Sequence, residues 1–348
     1  MACNALGKSE FNPGRMLLGH AAGLPASQDR WAALPVDLVL RAPSDWHPDR
    51  QQTTLAAPFQ VTGPATYSRR THSTLRFAPS ERPGWWIDRV DLPEQLPIQV
   101  SARNVWTSAR SIVLRSGNPH NYLRMVEHII ALKLGLGLDN ILLQIGTGDP
   151  PLFDVGSMPL VEGVEKAGIA VQQPPQPLVY WTAKEPVTVL GPNGSFLHLD
   201  PAQPGQRHLA LDVAIDFPTA IGCQRLQFDL HAAAFRHGAQ ARTNCSLTEV
   251  VFARTLGKLF ADVRSLGYTR DNILIAGRHR YLNEARLLHN GRSLEAVWHR
   301  AVLDLIAALS LIDTGRLAGR IISYKAGHTL DVRLVTQLFL HDLLEPVT

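Results

Sequence analysis

Two successive runs of short strands and helices, punctuated by Gly and Pro, constrain this chain more than any other feature of its sequence. In the first run, strand-like patterns over Thr66–Phe77, Trp85–Val90, Pro97–Val105 and Ser111–Ser116 read as an antiparallel meander. The period then lengthens. Met125, Ile129 and Leu132 recur at helical spacing within Asn121–Leu134, with Val126 and Ile130 beside them. Gly135 and Gly137 stop that helix. Ile141–Ile145 is a short buried strand, Gly146–Pro151 a loop of breakers, and Leu160–Ala167 a second helix ended by Gly168.

The second run starts beyond the proline cluster Gln172–Pro177, which stiffens the chain and excludes helix. A hairpin turns at Pro192–Asn193–Gly194, between Val187/Val189 and Phe196/Leu197. His208–Phe217 alternates with Leu209, Leu211, Val213, Ile215 and Phe217 on one face. Then come a strand near Gln224–Leu230, a helix Leu256–Leu266, a strand Asn272–Ala276, a long helix Leu294–Leu311, a strand Arg320–Lys325 and a helix Leu330–Leu344. LGLDNILLQI (Leu136–Ile145) and YTRDNILIAG (Tyr268–Gly277) share Asp-Asn-Ile-Leu at the same place in each half, a hint of duplication. The division is therefore an extension over 1–50 with little periodicity, then α+β units at 51–175 and 176–345.

Composition excludes several classes. At 348 residues, with 45% apolar and 18% charged residues, the chain is an ordinary globular one. Cys3, Cys223 and Cys245 lie far apart with no CxxC, which removes a disulfide scaffold and a Cys-rich zinc module. A metal site would need nitrogen and oxygen ligands, and there are 14 histidines. The net charge of +4 is scattered among 30 acids, so no nucleic-acid partner is expected. No apolar run approaches the roughly 20 residues of a membrane span. No charged start precedes an apolar run at the N-terminus, so no signal peptide is expected, and a reduced, cytoplasmic setting suits the cysteines.

GxxxxGK[ST], HExxH and GxSxG are all missing, and Gly135-Leu-Gly137 lies between helix and strand, the wrong order for a dinucleotide fold. Three spots could carry chemistry. Glu127-His128 sets a carboxylate beside an imidazole inside a helix, one potential general base and one metal ligand. His299 and Asp304 stand five apart on the long helix, about 140° apart in an ideal one; a one-residue π-bulge would return them to a common face. In Tyr324-Lys325-Ala326-Gly327-His328, the glycine allows a turn that presents the imidazole. Each pattern also suits a surface acid, an acid on an apolar helix, or a loop histidine.

Together the motifs resemble a family. MVEHIIALKLGLGLDNILLQIGTGDPPLFDVGSMPLVEGVEKAGI (Met125–Ile169), IDFPTAIGCQ (Ile215–Gln224), FARTLG (Phe252–Gly257) and YKAGHTL (Tyr324–Leu330) follow the order found in the UDP-3-O-acyl-N-acetylglucosamine deacetylases, zinc enzymes of lipid A biosynthesis. The resemblance covers roughly residues 55 to 345. It implies an α+β fold of two duplicated domains, each a mostly antiparallel sheet with two main helices, the helices sandwiched between the sheets. It also implies Zn²⁺ and a UDP-linked acylated glucosamine as substrate. On the matching positions, Glu127 is the implied general base, His128 a zinc ligand, Thr255 an oxyanion stabiliser and His328 the charged acid. Arg300, in place of the family's phosphate-contacting lysine, and Lys325 are the implied substrate contacts.

The chain departs from the family at the second metal segment. The family's His-Lys-x-x-Asp reads His299-Arg300-Ala301-Val302-Leu303-Asp304, one residue longer. In one alignment His299 and Asp304 are both ligands and a π-bulge absorbs the insertion. In the other, Arg300 falls where the ligand histidine belongs and puts a fixed positive charge there. Ala308 stands where the family has an Asp that partners the catalytic His, so His328 is expected to lose the anion that raises its pKa. Val155 is inserted in the Met-Asp-Gly-Ser-like loop, Phe153–Ser157. These departures allow a second reading: a catalytically impaired paralog with a sugar-nucleotide or protein-partner role. The oligomeric state is not legible.

Overall fold

The computed structural model describes residues 12–67, 71–246 and 267–348. Its centre is built on two helices whose side chains are buried on nearly every side. Helix α1 is Leu24–Ala33, α2 Glu127–Gly135, α3 Met158–Ala167 and α4 Ala232–Gly238. Helix α5 joins Glu295–Trp298, a π segment His299–Leu305 and Ile306–Leu309; α6 is His328–Leu340. Every residue of α5 is buried, as is every residue of α2 except His128. A helix apolar all round must be covered all round, and α2 and α5 pack against each other between the sheets.

One sheet has five strands in the order Phe59–Pro64, His72–Pro79, Ile141–Ile145, Trp85–Arg89, Ile98–Gln99. It is not the meander that the sequence suggests. Ile141–Ile145 returns after α2 and enters the middle, antiparallel to His72–Pro79 and parallel to Trp85–Arg89. Its Ile141, Leu143 and Ile145 are buried, and a strand with that inner face is best covered with neighbours on both edges.

The larger sheet runs Arg15–Leu18, Val187–Leu190, Phe196–Asp200, Gly319–Tyr324, Leu209–Phe217, Gly222–Asp229, Leu38–Leu40. Both edge strands come from the first 50 residues, and each lies parallel to its neighbour. That segment therefore completes a sheet, although its periodicity is too short to reveal it. Helix α1 covers the outer face, where Leu24 and Trp31 cluster with Phe196, Ala214, Ile322 and Tyr324. The period-two strand Leu209–Phe217 is consequently buried on both faces. Asp212 on that outer face is 2% exposed and is held by Arg225 through two hydrogen bonds, 2.8 and 2.7 Å, with the guanidinium 4.2 Å over the Trp31 ring.

Helix boundaries moved for local reasons. Tyr122–Leu123 pairs with Val113–Arg115, and Met125 has φ 46°, so α2 begins at Glu127 rather than 121. Helix α6 begins at His328 and stops at Leu340, because Leu344–Pro346 pairs with Tyr180–Ala183. The helix expected over 256–266 lies outside the described residues. Both Asp-Asn repeats precede a buried strand. Asn140 accepts a hydrogen bond from Gly84 N and Asn272 one from Thr269 N, each 2.8 Å. However, Ile273–Ala276 pairs with Thr243–Ser246 outside the large sheet, so the two repeats share a turn and not a sheet position.

Candidate active site

The N-terminal turns of α2 and α6 and the π segment of α5 point at one another. Glu127 is the first residue of α2, where a helix end favours a carboxylate. Its Oε1 accepts from Ile112 N at 2.8 Å, while Oε2 is buried without a hydrogen-bond partner. Burial raises its pKa above the usual carboxylate range, against the pull of His328 and backbone donors. A carboxylate whose pKa is raised in this way is a better proton acceptor than a free one.

His128 follows on the same turn. Ser157 Oγ donates to His128 O at 2.9 Å and lies 3.4 Å from Nδ1. Burial, with His299 beside it, pushes the His128 pKa down to about 3, so its ring stays neutral. Neutral imidazole is the metal-ligating form.

The extra residue in the second metal segment is absorbed by the helix. His299–Leu305 is π-helical, and widening the turn brings His299 and Asp304 onto one side. His299 Nδ1 is 3.5 Å from Asp304 Oδ1, and its Nε2 is 3.0 Å from Thr243 Oγ1. The His128 and His299 ring centroids are 5.4 Å apart. Of the two alignments, the geometry follows the one in which His299 and Asp304 face each other.

Arg300 points away from that centre. Its Nε donates to Ala326 O at 2.8 Å, and Nη2 donates to Ser323 Oγ at 3.2 Å and to Asp331 Oδ1 at 2.5 Å. Nη1 is buried without a partner. Asp331 lies one turn beyond His328 and is fully buried, and burial lifts its pKa to about 6 against the pull of Arg300.

His328 opens α6, with Nε2 3.7 Å from both Glu127 Oε1 and Asp304 Oδ1. The expectation that Ala308 leaves it without an anion to raise its pKa is corrected here. Burial lowers the His328 pKa, but Asp304, Glu127 and Asp331 outweigh it, and the net direction is up. His328 Nδ1 is buried with no hydrogen-bond partner among the described residues. Asp304 is held well below the usual carboxylate range: burial pushes it up, and His328, His299 and Arg300 more than reverse that.

Lys325 has φ 53° and places Nζ 3.3 Å from Asp216 Oδ2 at the end of Leu209–Phe217. Thr255 lies outside the described residues, as does the FARTLG motif. Sequence reasoning missed Ser157, Thr243 and Asp331. Asp331 alone left a usable signal, since it falls three residues after His328 on a helix and must share its side.

A cavity of about 480 Å³ opens beside His328, lined by Arg110, Arg333, Ser195, Gly327 and Thr329. The donor set facing the centre, two imidazoles and one carboxylate with a further carboxylate and imidazole beside it, fits a divalent metal of the zinc type. Among the described residues, Asp304 Oδ1, Glu127 Oε2 and His328 Nδ1 are all buried without hydrogen-bond partners. Among the described residues, no three His, Cys, Asp or Glu side chains are gathered tightly enough, as they stand, to grip an ion.

Buried carboxylates set against imidazoles within an α+β fold define the class: an acid–base site of the hydrolytic kind. A family model described as UDP-3-O-acyl N-acetylglycosamine deacetylase matches residues 52–340, and the chain belongs to that family. Curated relatives named UDP-3-O-acyl-N-acetylglucosamine deacetylase are similar over most of its length. The protein of Hahella chejuensis is 29% identical over 292 residues, 83% of this chain and 90% of the relative. That of Trichormus variabilis is 28% identical over 296 residues, 83% and 98%. That of Teredinibacter turnerae is 27% identical over 298 residues, 83% and 90%.

Proposed function

We propose that this protein is a zinc-dependent deacetylase that hydrolyses the N-acetyl group of a UDP-3-O-acyl-N-acetylglucosamine in lipid A biosynthesis. The observation that carries the reading is the meeting of Glu127, His128, His299, Asp304 and His328, made possible by the π segment. His128, His299 and Asp304 would hold the metal, with Thr243 orienting His299 through Nε2. Bound zinc supplies a Lewis acid and lowers the pKa of its water towards about 7.

Glu127, with a raised pKa and an unpartnered oxygen, takes the proton of the attacking water. His328, whose charged form is favoured by the surrounding acids, meets the developing oxyanion and hands a proton to the leaving amine. Thr255 keeps the oxyanion role that the resemblance implies. Arg110 and Arg333, in the cavity beside His328, suit the diphosphate of the substrate, and Lys325 lies close to it in sequence. Neither Cys223 nor Cys245 is in a disulfide, in keeping with a reducing, cytoplasmic setting.

The loose gathering of the three ligands favours one second reading, a metal-free relative that keeps the sugar-nucleotide cavity. Metal analysis decides between them. About one zinc per chain, lost in His128→Ala and accompanied by release of acetate from the acylated UDP-sugar, is the expected result. Protein purified with zinc supplied that holds none, and still binds UDP, would establish the second reading.

A further inference from the structure

The segment 95–126 contains Arg103, Arg110, Arg115 and Arg124 and not one Asp or Glu. It folds into a small antiparallel sheet, Val105–Thr107, Val113–Arg115 and Tyr122–Leu123, separate from both large sheets. Its outer side is apolar at the tips. Leu96 is 73% exposed and Trp106 54%.

These residues form one connected patch. Asn121 Nδ2 donates to Leu96 O at 2.9 Å, the Trp106 and Tyr122 rings are 6.2 Å apart, and the Arg115 guanidinium lies 4.7 Å over Trp106. Arg103 is paired with Asp313, and Arg124 sits on the Tyr67 ring. Arg110 and Arg115 form no ion pair among the described residues. Ser108 O accepts from Thr329 Oγ1 at 2.9 Å, and Arg110 lines the cavity beside His328, so the patch borders the mouth of the site.

We infer that this three-stranded sheet is a docking surface for an anionic lipid bilayer. Trp seeks the headgroup layer. An exposed Leu enters the acyl boundary, and arginines at the rim reach phosphates while their stems stay apolar. A protein partner is less well matched, because Arg110 and Arg115 have no ion-paired acid among the described residues and so offer no mixed polar rim, Arg103 alone of these arginines being paired, with Asp313. No helix among the described residues is long and apolar enough to cross a membrane, so contact of this kind would be peripheral. The surface stands without the deacetylase reading; an acylated substrate would give it a use, since the mouth would face the layer that holds the acyl chain.

Sedimentation with vesicles tests it. Full-length protein should co-sediment with 30:70 phosphatidylglycerol:phosphatidylcholine vesicles in 0.1 M salt, and not with pure phosphatidylcholine. Each basic residue near such a surface contributes about five-fold to partitioning. Arg115→Glu should therefore weaken binding at least about ten-fold, Trp106→Ala several-fold, and 0.5 M salt should release most of the protein. No anionic-vesicle binding, or binding unchanged in Arg115→Glu, overturns the proposal. Retention on heparin without vesicle binding also overturns it and points to an acidic macromolecule. Acetate release from a water-soluble, short-acyl substrate should be unchanged in Arg115→Glu. If that release is absent in the wild type while vesicle binding persists, the deacetylase reading fails and the docking surface stands.

Discussion

Adjacent residues on one π turn enter opposite kinds of environment. Arg300 joins a tight ion pair with Asp331, supported by Ser323 and Ala326, although Arg300 Nη1 and Asp331 Oδ2 are themselves buried without partners among the described residues. His299 joins a looser cluster, in which His299–Asp304, His328–Glu127 and His328–Asp304 stand 3.5, 3.7 and 3.7 Å apart. Among the described residues, Asp304, Glu127 and His328 each keep a buried polar atom with no hydrogen-bond partner. A tight buried ion pair contributes to folding mainly by not being broken. A looser cluster costs stability, and natural chains tolerate such a cost at sites that bind or react. The difference separates a structural arginine from a functional histidine that sequence places side by side.

The sharpest way to break this comparison is Glu127→Ala. It should lower kcat at least about 100-fold while leaving the thermal unfolding midpoint equal or higher, because an acid buried with one free oxygen leaves the core. A large loss of stability would move Glu127 to the structural side. Arg300→Met should do the reverse. It strands Asp331, fully buried, and should cost about 3–5 kcal/mol by denaturant unfolding. Arg300→Met combined with Asp331→Leu should recover most of that; failure to recover would mean that Arg300 acts on the site.

A subtler effect comes from pH. Burial lifts the Asp331 carboxyl to about 6 in the folded protein from its ordinary 3.8, so between those values the folded chain holds a proton that the unfolded chain has lost. Stability therefore falls as pH rises from about 4 to about 6. Asp331→Asn should flatten that slope in denaturant midpoints measured across the window. An unchanged slope would place the titration elsewhere. The smallest effect expected is that of Lys325→Ala. Lys325 is part-exposed and paired with Asp216, and the variant should raise KM no more than about five-fold with kcat unchanged.

Several parts of this molecule were legible from sequence because they obey one local period. The strand Ile141–Ile145 and the helix ended by Gly168 stand where the pattern puts them. The five-residue spacing of His299 and Asp304 calls for a π segment if the two are to share a face, and one spans His299–Leu305. Other parts were illegible because they depend on partners distant in the chain. Arg15–Leu18 and Leu38–Leu40 are too short to announce themselves, and only the edges of a sheet built 170 residues later give them a place. The meander failed for the same reason, since nothing local says that Ile141–Ile145 inserts between two earlier strands.

Sequence alone determined which side chains could do chemistry here: Glu127-His128, the His299–Asp304 spacing and the glycine before His328 are local facts. Tertiary structure decided what each becomes. Burial raises Glu127 and Asp331 and silences the charge of His128, while the acids around His328 lift its pKa despite Ala308. Those outcomes depend on which groups share a low-dielectric space. That is a property of the packed fold and not of any stretch of chain.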